Sequence, residues 1–167
     1  MDFLLRLEES GFPTWIRTSD SFFAYPFFLL LHTVGLGMVA GVSAAIDLRI
    51  LGVASRMPLR PMKGFFPFMW LGFWINAISG VVLLASAATT KAVSGVFWIK
   101  LALIVLAVVD LKLIGNKVFL DPLLDTRPVP VGGRALALIS ILLWTGAITA
   151  GRLMAYIGAG AAESGIQ

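Results

Sequence analysis

The chain contains a single histidine, His32, and no cysteine. His32 sits in a stretch with no charged residue between Ser21 and Ile46. A titratable ring inside hydrocarbon is expensive to bury, so by default it marks a site and needs a named partner. Without cysteine the chain cannot form thiolate-ligated iron–sulfur clusters, covalent c-type haem or disulfides. A lone histidine also lacks the ligand spacing of a zinc or copper centre. Two uses remain for the imidazole. It can be an axial ligand to haem iron, or it can hydrogen-bond across helices to a residue such as Asn76, Ser79 or Thr149.

Two cations favour the first use. Lys100 follows the aromatic anchors Phe97 and Trp98, and Arg152 lies beside Tyr156. Neither has an acidic residue at similar depth; the nearest are Asp20 and Glu163. The missing anion then belongs to a ligand. A b-type haem fits, with iron on His32 and propionates on Lys100 and Arg152. The competing use of both cations is to snorkel to lipid phosphates. Gly35, one turn beyond His32, would let a flat macrocycle approach the backbone, or would serve helix packing. The pair Gly37 and Gly41 reads as ordinary G-x-x-x-G packing. Trp70, Phe73 and Trp74 could wall a pocket or face lipid, and Met38, Met69 and Met154 are soft ligands or filler. One histidine cannot supply two axial imidazoles, so a haem here is five-coordinate, His/Met, completed by an exogenous ligand, or shared between protomers. A second polar group, Asp47 and Arg49 with Asp110 and Lys112, reads as an ion-pair lock at the opposite rim.

These residues must be held by membrane-spanning helices. Of 167 residues 59% are hydrophobic and 13% charged, with a mean hydropathy of +0.93; soluble domains carry nearer a quarter charged residues. Four stretches reach the roughly 20 apolar residues a spanning helix needs, approximately Phe22–Ile46, Phe65–Ala87, Val96–Ile114 and Ala135–Ile157. They do not alternate as barrel strands do. The expected fold is an all-α integral membrane four-helix bundle, one domain over 1–167, with a short N-terminal interfacial helix over 1–20. That segment lacks a signal-peptide layout; a turn is expected at Gly11–Pro13, an anchor at Trp15, and a helix cap at Asp20 or Ser21. The sequence pI of about 9.9 suggests nucleic acid, but the basic residues are scattered around the spans, so no nucleic-acid partner is expected. Arg49, Arg56, Arg60 and Lys63 in the first loop share a side with Lys112, Lys117, Arg127 and Arg134 in the third. Arg6, Arg17, Lys91, Lys100 and Arg152 fall opposite. The positive-inside rule therefore puts both termini outside the cytoplasm, on the periplasmic side of a bacterial inner membrane. The run Thr126–Val131, with Pro128 and Pro130, forms an extended linker.

Two segments carry a resemblance. His32, Gly35, Gly41 and the run Asp47-Leu48-Arg49-Ile50-Leu51-Gly52 resemble a family of small four-helix bacterial integral membrane proteins of unknown function. Gly151, Arg152, Ala155 and Tyr156 match its late Gly-Arg-x-x-Ala-Tyr pattern. More distantly, His32, Gly41 and Arg49, with Trp98-Ile99-Lys100-Leu101, are similar to the HemJ-type protoporphyrinogen oxidases and the CopD-type membrane domains. The resemblance implies haem b on His32, with Lys100 supporting or catalytic. The chain departs at Asp110 and Leu111, where the HemJ-type family has a further histidine.

Three functions follow. One is electron transfer through haem b between the membrane quinone pool and a periplasmic-side redox partner. Another is a membrane oxidase acting on a porphyrin-like or lipid-soluble substrate. The third is a non-catalytic accessory or assembly subunit of a larger complex. The chain is expected to work as a homo-oligomer or as such a subunit.

Overall fold

A computed structural model describes residues 2–164. Among them the secondary structure is helical and no strand occurs. Two short helices, α1 (Asp2–Glu8) and α2 (Gly11–Thr18), precede the long α3 (Tyr25–Leu51). A 3-10 turn at Arg60–Phe65 leads into α4 (Phe66–Ala85), then come the short α5 (Ala88–Lys91), α6 (Gly95–Lys117) and α7 (Val131–Ser164).

Three segments are long and apolar enough to cross a membrane: Tyr25–Leu51, Arg60–Ala85 and Val131–Met154. Only 28% of each is buried inside the chain. Trp74, Ile78, Val81, Leu138 and Leu142 turn outward, the arrangement expected of helices bathed in lipid rather than water. The fourth expected span coincides with α6. It is as long and as apolar, but it carries more charges than the other three, at Lys100, Asp110, Lys112 and Lys117.

The N-terminal segment differs from expectation. Gly11–Pro13 opens a second helix instead of a turn, because Pro13 falls in the first helical turn, where its missing N–H has no intrahelical partner to lose. The helix cap expected at Asp20 or Ser21 is absent, since α3 starts later; the Ser21 hydroxyl instead accepts from the Phe23 N–H in the preceding turn.

The chain divides into two compact units, 1–42 with 64–93, and 43–63 with 94–167. In the first unit, Glu8 ties α1 to α5 by accepting from the Thr89 N–H (2.9 Å) and hydroxyl (2.6 Å) and from Arg17. The Thr89 hydroxyl, then its N–H, with help from Arg17 and against some burial, hold the Glu8 carboxyl below its ordinary range. Helices α3 and α4 approach closely at Gly35 and Gly72, where Gly72 packs on Met38 and on the Gly35 carbonyl.

In the second unit α6 packs along α7. The buried positions of α7, Ala137, Ser140, Trp144, Ala147 and Ala150, repeat at three- and four-residue intervals and make one helical face. Asp125, in the left-handed region at φ 71, joins the loops flanking the spans. Its two oxygens accept from Leu59 N–H (2.7 Å) and Arg60 N–H (2.9 Å), capping the 3-10 turn. Burial opposes ionisation of Asp125, but those two N–H groups and the charges of Arg49 and Arg60 outweigh it and lower its pKa.

Candidate functional site around His32

In the first unit, His32 and Asn76 clasp α3 to α4. The His32 Nδ1–H donates to the Asn76 main-chain oxygen (2.9 Å), with the Ser79 hydroxyl oxygen at 3.3 Å. In return, the Asn76 side-chain amide donates to the His32 main-chain oxygen at 2.7 Å. Buried Ser79 spends its own proton on the Ile75 carbonyl, 2.6 Å away. The ring needs Gly80 beneath it, since a Cβ there would lie 3.0 Å from His32 Cε1 and 3.3 Å from Nδ1. The helix-to-helix partners expected of His32 are thus present in Asn76 and Ser79. Thr149 instead bonds within its own helix, to the Thr145 carbonyl.

A carbonyl oxygen only accepts, so the bond to Asn76 requires the ring proton on Nδ1. In the neutral imidazole the lone pair then belongs to Nε2, the atom metals take when the other nitrogen is fixed by a second-shell acceptor. Among the described residues, no three histidine or acidic side chains come together to hold a metal ion. A haem needs only one side chain, because the porphyrin brings the four in-plane nitrogens. The donor chemistry of His32 therefore fits an axial ligand.

The other expected site residues are distributed differently. Gly35 faces the backbone of α4: an added Cβ would meet Asn76 N at 2.6 Å and Gly72 O at 2.7 Å. Its bareness serves helix packing, and the approach expected of a macrocycle is filled by α4. A Cβ added at Gly37 or Gly41 would meet nothing within 4 Å, so their expected packing role is not exercised among the described residues. Lys100, Arg152 and Tyr156 belong to the second unit. The stem of Lys100 lies against Gly151, whose added Cβ would be 3.5 Å from Cε and Nζ. Arg152 is exposed and Tyr156 is 72% exposed, both turned away from the packed interior. Trp74 faces outward, edge-on to Phe73 at 5.4 Å, while Met69 is wholly buried.

The ion-pair lock expected of Asp47, Arg49, Asp110 and Lys112 is replaced by something else. Arg49 donates to the carbonyls of Ser55 and Met57. Asp47, fully buried one turn inside the end of α3, accepts on Oδ2 from Ser140 (2.5 Å) and Ser43 (3.2 Å). Neither aspartate has an ion-pair partner among the described residues. Ser43 and Ser140 escaped the sequence reading because single serines in apolar helices are common. The available signal was the spacing of Ser43 and Asp47, four residues apart on one helical face.

No family model matches the chain, and no curated protein or solved structure matches it.

Proposed function

We propose that this chain is a bacterial inner-membrane protein of four spans, α3, α4, α6 and α7, that binds haem b through His32 and transfers electrons between the quinone pool and a periplasmic-side partner. In this reading both termini are periplasmic. The observation that carries it is the His32 Nδ1–H bond to the Asn76 carbonyl, which directs the lone pair of Nε2 to a metal and raises its basicity. Haem, when bound, supplies one-electron redox chemistry. The protein's part is to set ring orientation through Asn76, Ser79 and Gly80 and to keep the ligand in a medium of low dielectric. The proposal rests on His32 and its own unit, independently of Lys100, Arg152 and Tyr156.

The test is the reduced-minus-oxidised absorbance of detergent-purified protein expressed with haem supplied. The expected result is a Soret and α-band change, lost in His32→Ala while folding, checked by circular dichroism, persists. A second reading, a non-catalytic membrane subunit, draws on the reciprocity of the clasp: His32 and Asn76 satisfy each other's main-chain oxygens. Colourless folded protein with no haem uptake would support that reading and refute haem binding.

A further inference from the structure

The second unit holds a polar cluster that the haem reading does not use. Asp47 is 0% exposed, Ser140 0%, Ser43 1% and Asp110 5%. The two hydroxyls lie 3.2 Å apart and both reach Asp47 Oδ2. Asp47 Oδ1 and Asp110 Oδ2 are buried with no hydrogen-bond partner, and the two carboxyls are within electrostatic reach of each other. Nearby Arg49 is spent on carbonyls. Two hydroxyl donors on one oxygen suit an ionised carboxylate. Burying that charge without a counter-ion is costly, and proteins resolve the cost by pairing, by taking up a proton or by binding a metal ion.

We propose that Asp47, Ser43 and Ser140, with Asp110 as the second carboxylate, bind a small monovalent metal cation of the sodium class. The unmet lone pairs of Asp47 Oδ1 and Asp110 Oδ2 are hard oxygen donors. Once their protons are given to Oδ2, the two serine oxygens also present lone pairs. Oxygen ligands of this kind select alkali and alkaline-earth ions over transition metals. The absence of three converging acidic or histidine side chains among the described residues argues for the lower charge. Trp144 Nε1, one turn beyond Ser140 on α7, is a further buried atom without a hydrogen-bond partner; as a donor it can serve only a water on the ion. Asp47 and Asp110 lie inside helices otherwise suited to hydrocarbon, where polar side chains commonly mark ion pathways.

The experiment is equilibrium binding of radiolabelled sodium to the full chain in detergent at alkaline pH, with choline holding the ionic strength constant. Saturable binding of one ion per chain is expected. It should be abolished in Asp47→Asn and weakened about tenfold or more in Ser140→Ala and Asp110→Asn, as is usual for supporting ligands. Sodium should also raise the thermal midpoint of the wild-type chain over choline, because a ligand of the folded state stabilises it by mass action. Should Asp47→Asn fail to fold, Ser140→Ala and the wild-type midpoint still decide. No saturable binding, a midpoint indifferent to sodium, or full binding by folded Asp47→Asn overturns the proposal. So does a cluster that takes up only a proton, seen as a pH-dependent midpoint that sodium does not move.

Discussion

Replacing Gly35 with alanine tests the close crossing of α3 and α4. The new Cβ would stand 2.6 Å from the Asn76 nitrogen and 2.7 Å from the Gly72 oxygen. Comfortable contact begins near ~3.5 Å, so the shortfall is about 0.8–0.9 Å. Both obstacles are backbone atoms that cannot swing aside as a side-chain tip can. The helices must separate, and backbone shifts forced by overpacking cost about 1–3 kcal/mol. A separation of that size would also stretch the His32–Asn76 bonds, now 2.9 and 2.7 Å, past useful length. Interhelical hydrogen bonds in membranes are worth about 0.6 kcal/mol each, so two of them add about 1 kcal/mol. The expected loss is about 2–4 kcal/mol. The assay is equilibrium unfolding in mixed detergent micelles, followed by tryptophan fluorescence. Gly37→Ala and Gly41→Ala, whose new Cβ would meet nothing within 4 Å among the described residues, serve as controls and should stay within about 0.5 kcal/mol of wild type. A Gly35→Ala protein as stable as these controls would refute the close crossing, and with it the geometry that orients His32.

Three further outcomes follow from the same structure. Gly80→Ala should leave the fold intact but displace the ring, since its Cβ would press on Cε1 and Nδ1; the His32 ring resonances by NMR should shift, and unchanged resonances would contradict the packing. Asp125→Ala removes two main-chain acceptor contacts at Leu59 and Arg60 and should cost about 1–2 kcal/mol, in the range of a lost helix cap, read by the same unfolding assay; a neutral variant would show that Asp125 does not cap the 3-10 turn. Glu8 is held below its ordinary 4.5 in the folded chain, so the unfolded chain binds more protons there. The Glu8 contribution to stability is therefore complete above that value and fades as pH falls through the lowered pKa. Glu8→Gln should flatten this acid limb of a thermal-midpoint profile, and an unaltered limb would remove Glu8 as its source.

The long apolar runs were legible because hydrocarbon demands helices whatever the detailed sequence. What remained hidden turned on local geometry. Gly11–Pro13 looks like a turn because proline breaks helices in their interiors, yet in a first turn it is harmless. Asp47 looked like the end of a helix because a charge follows an apolar run, and α3 continues through it to Leu51. At the site, Asn76 and Ser79 were recoverable as partners of His32, being the polar residues near mid-span in the next apolar stretch. Gly35 was recognisable as a close-approach position, but not what approaches it. Lys100 and Arg152 share a basic character without sharing surroundings: one stem lies against Gly151 while the other side chain is exposed. Sequence alone carries no information on that difference.

Two polar groups among the described residues, the part-buried His32 clasp and the buried Asp47 cluster, pose opposite electrostatic problems. Around His32 donors meet acceptors in both directions: ring N–H to carbonyl, amide to carbonyl, hydroxyl to carbonyl. Such a clasp is neutral and can persist in lipid without a guest. Around Asp47 the two hydroxyls satisfy one carboxylate oxygen, while Oδ1 and the neighbouring Asp110 Oδ2 keep unmet lone pairs in an apolar interior. That arrangement is uncomfortable unless positive charge arrives. Substitutions should therefore act in opposite senses. Asp47→Asn, by deleting a buried charge, should stabilise the sodium-free chain or leave it unchanged. His32→Ala, by removing the ring's bond to the Asn76 carbonyl and its packing on Gly80, should destabilise it by about 1–3 kcal/mol. A sodium-free Asp47→Asn protein that melts well below wild type would mean that the carboxylate is already compensated from within, by a captured proton, and a wild-type midpoint indifferent to sodium would then complete the case against a bound cation.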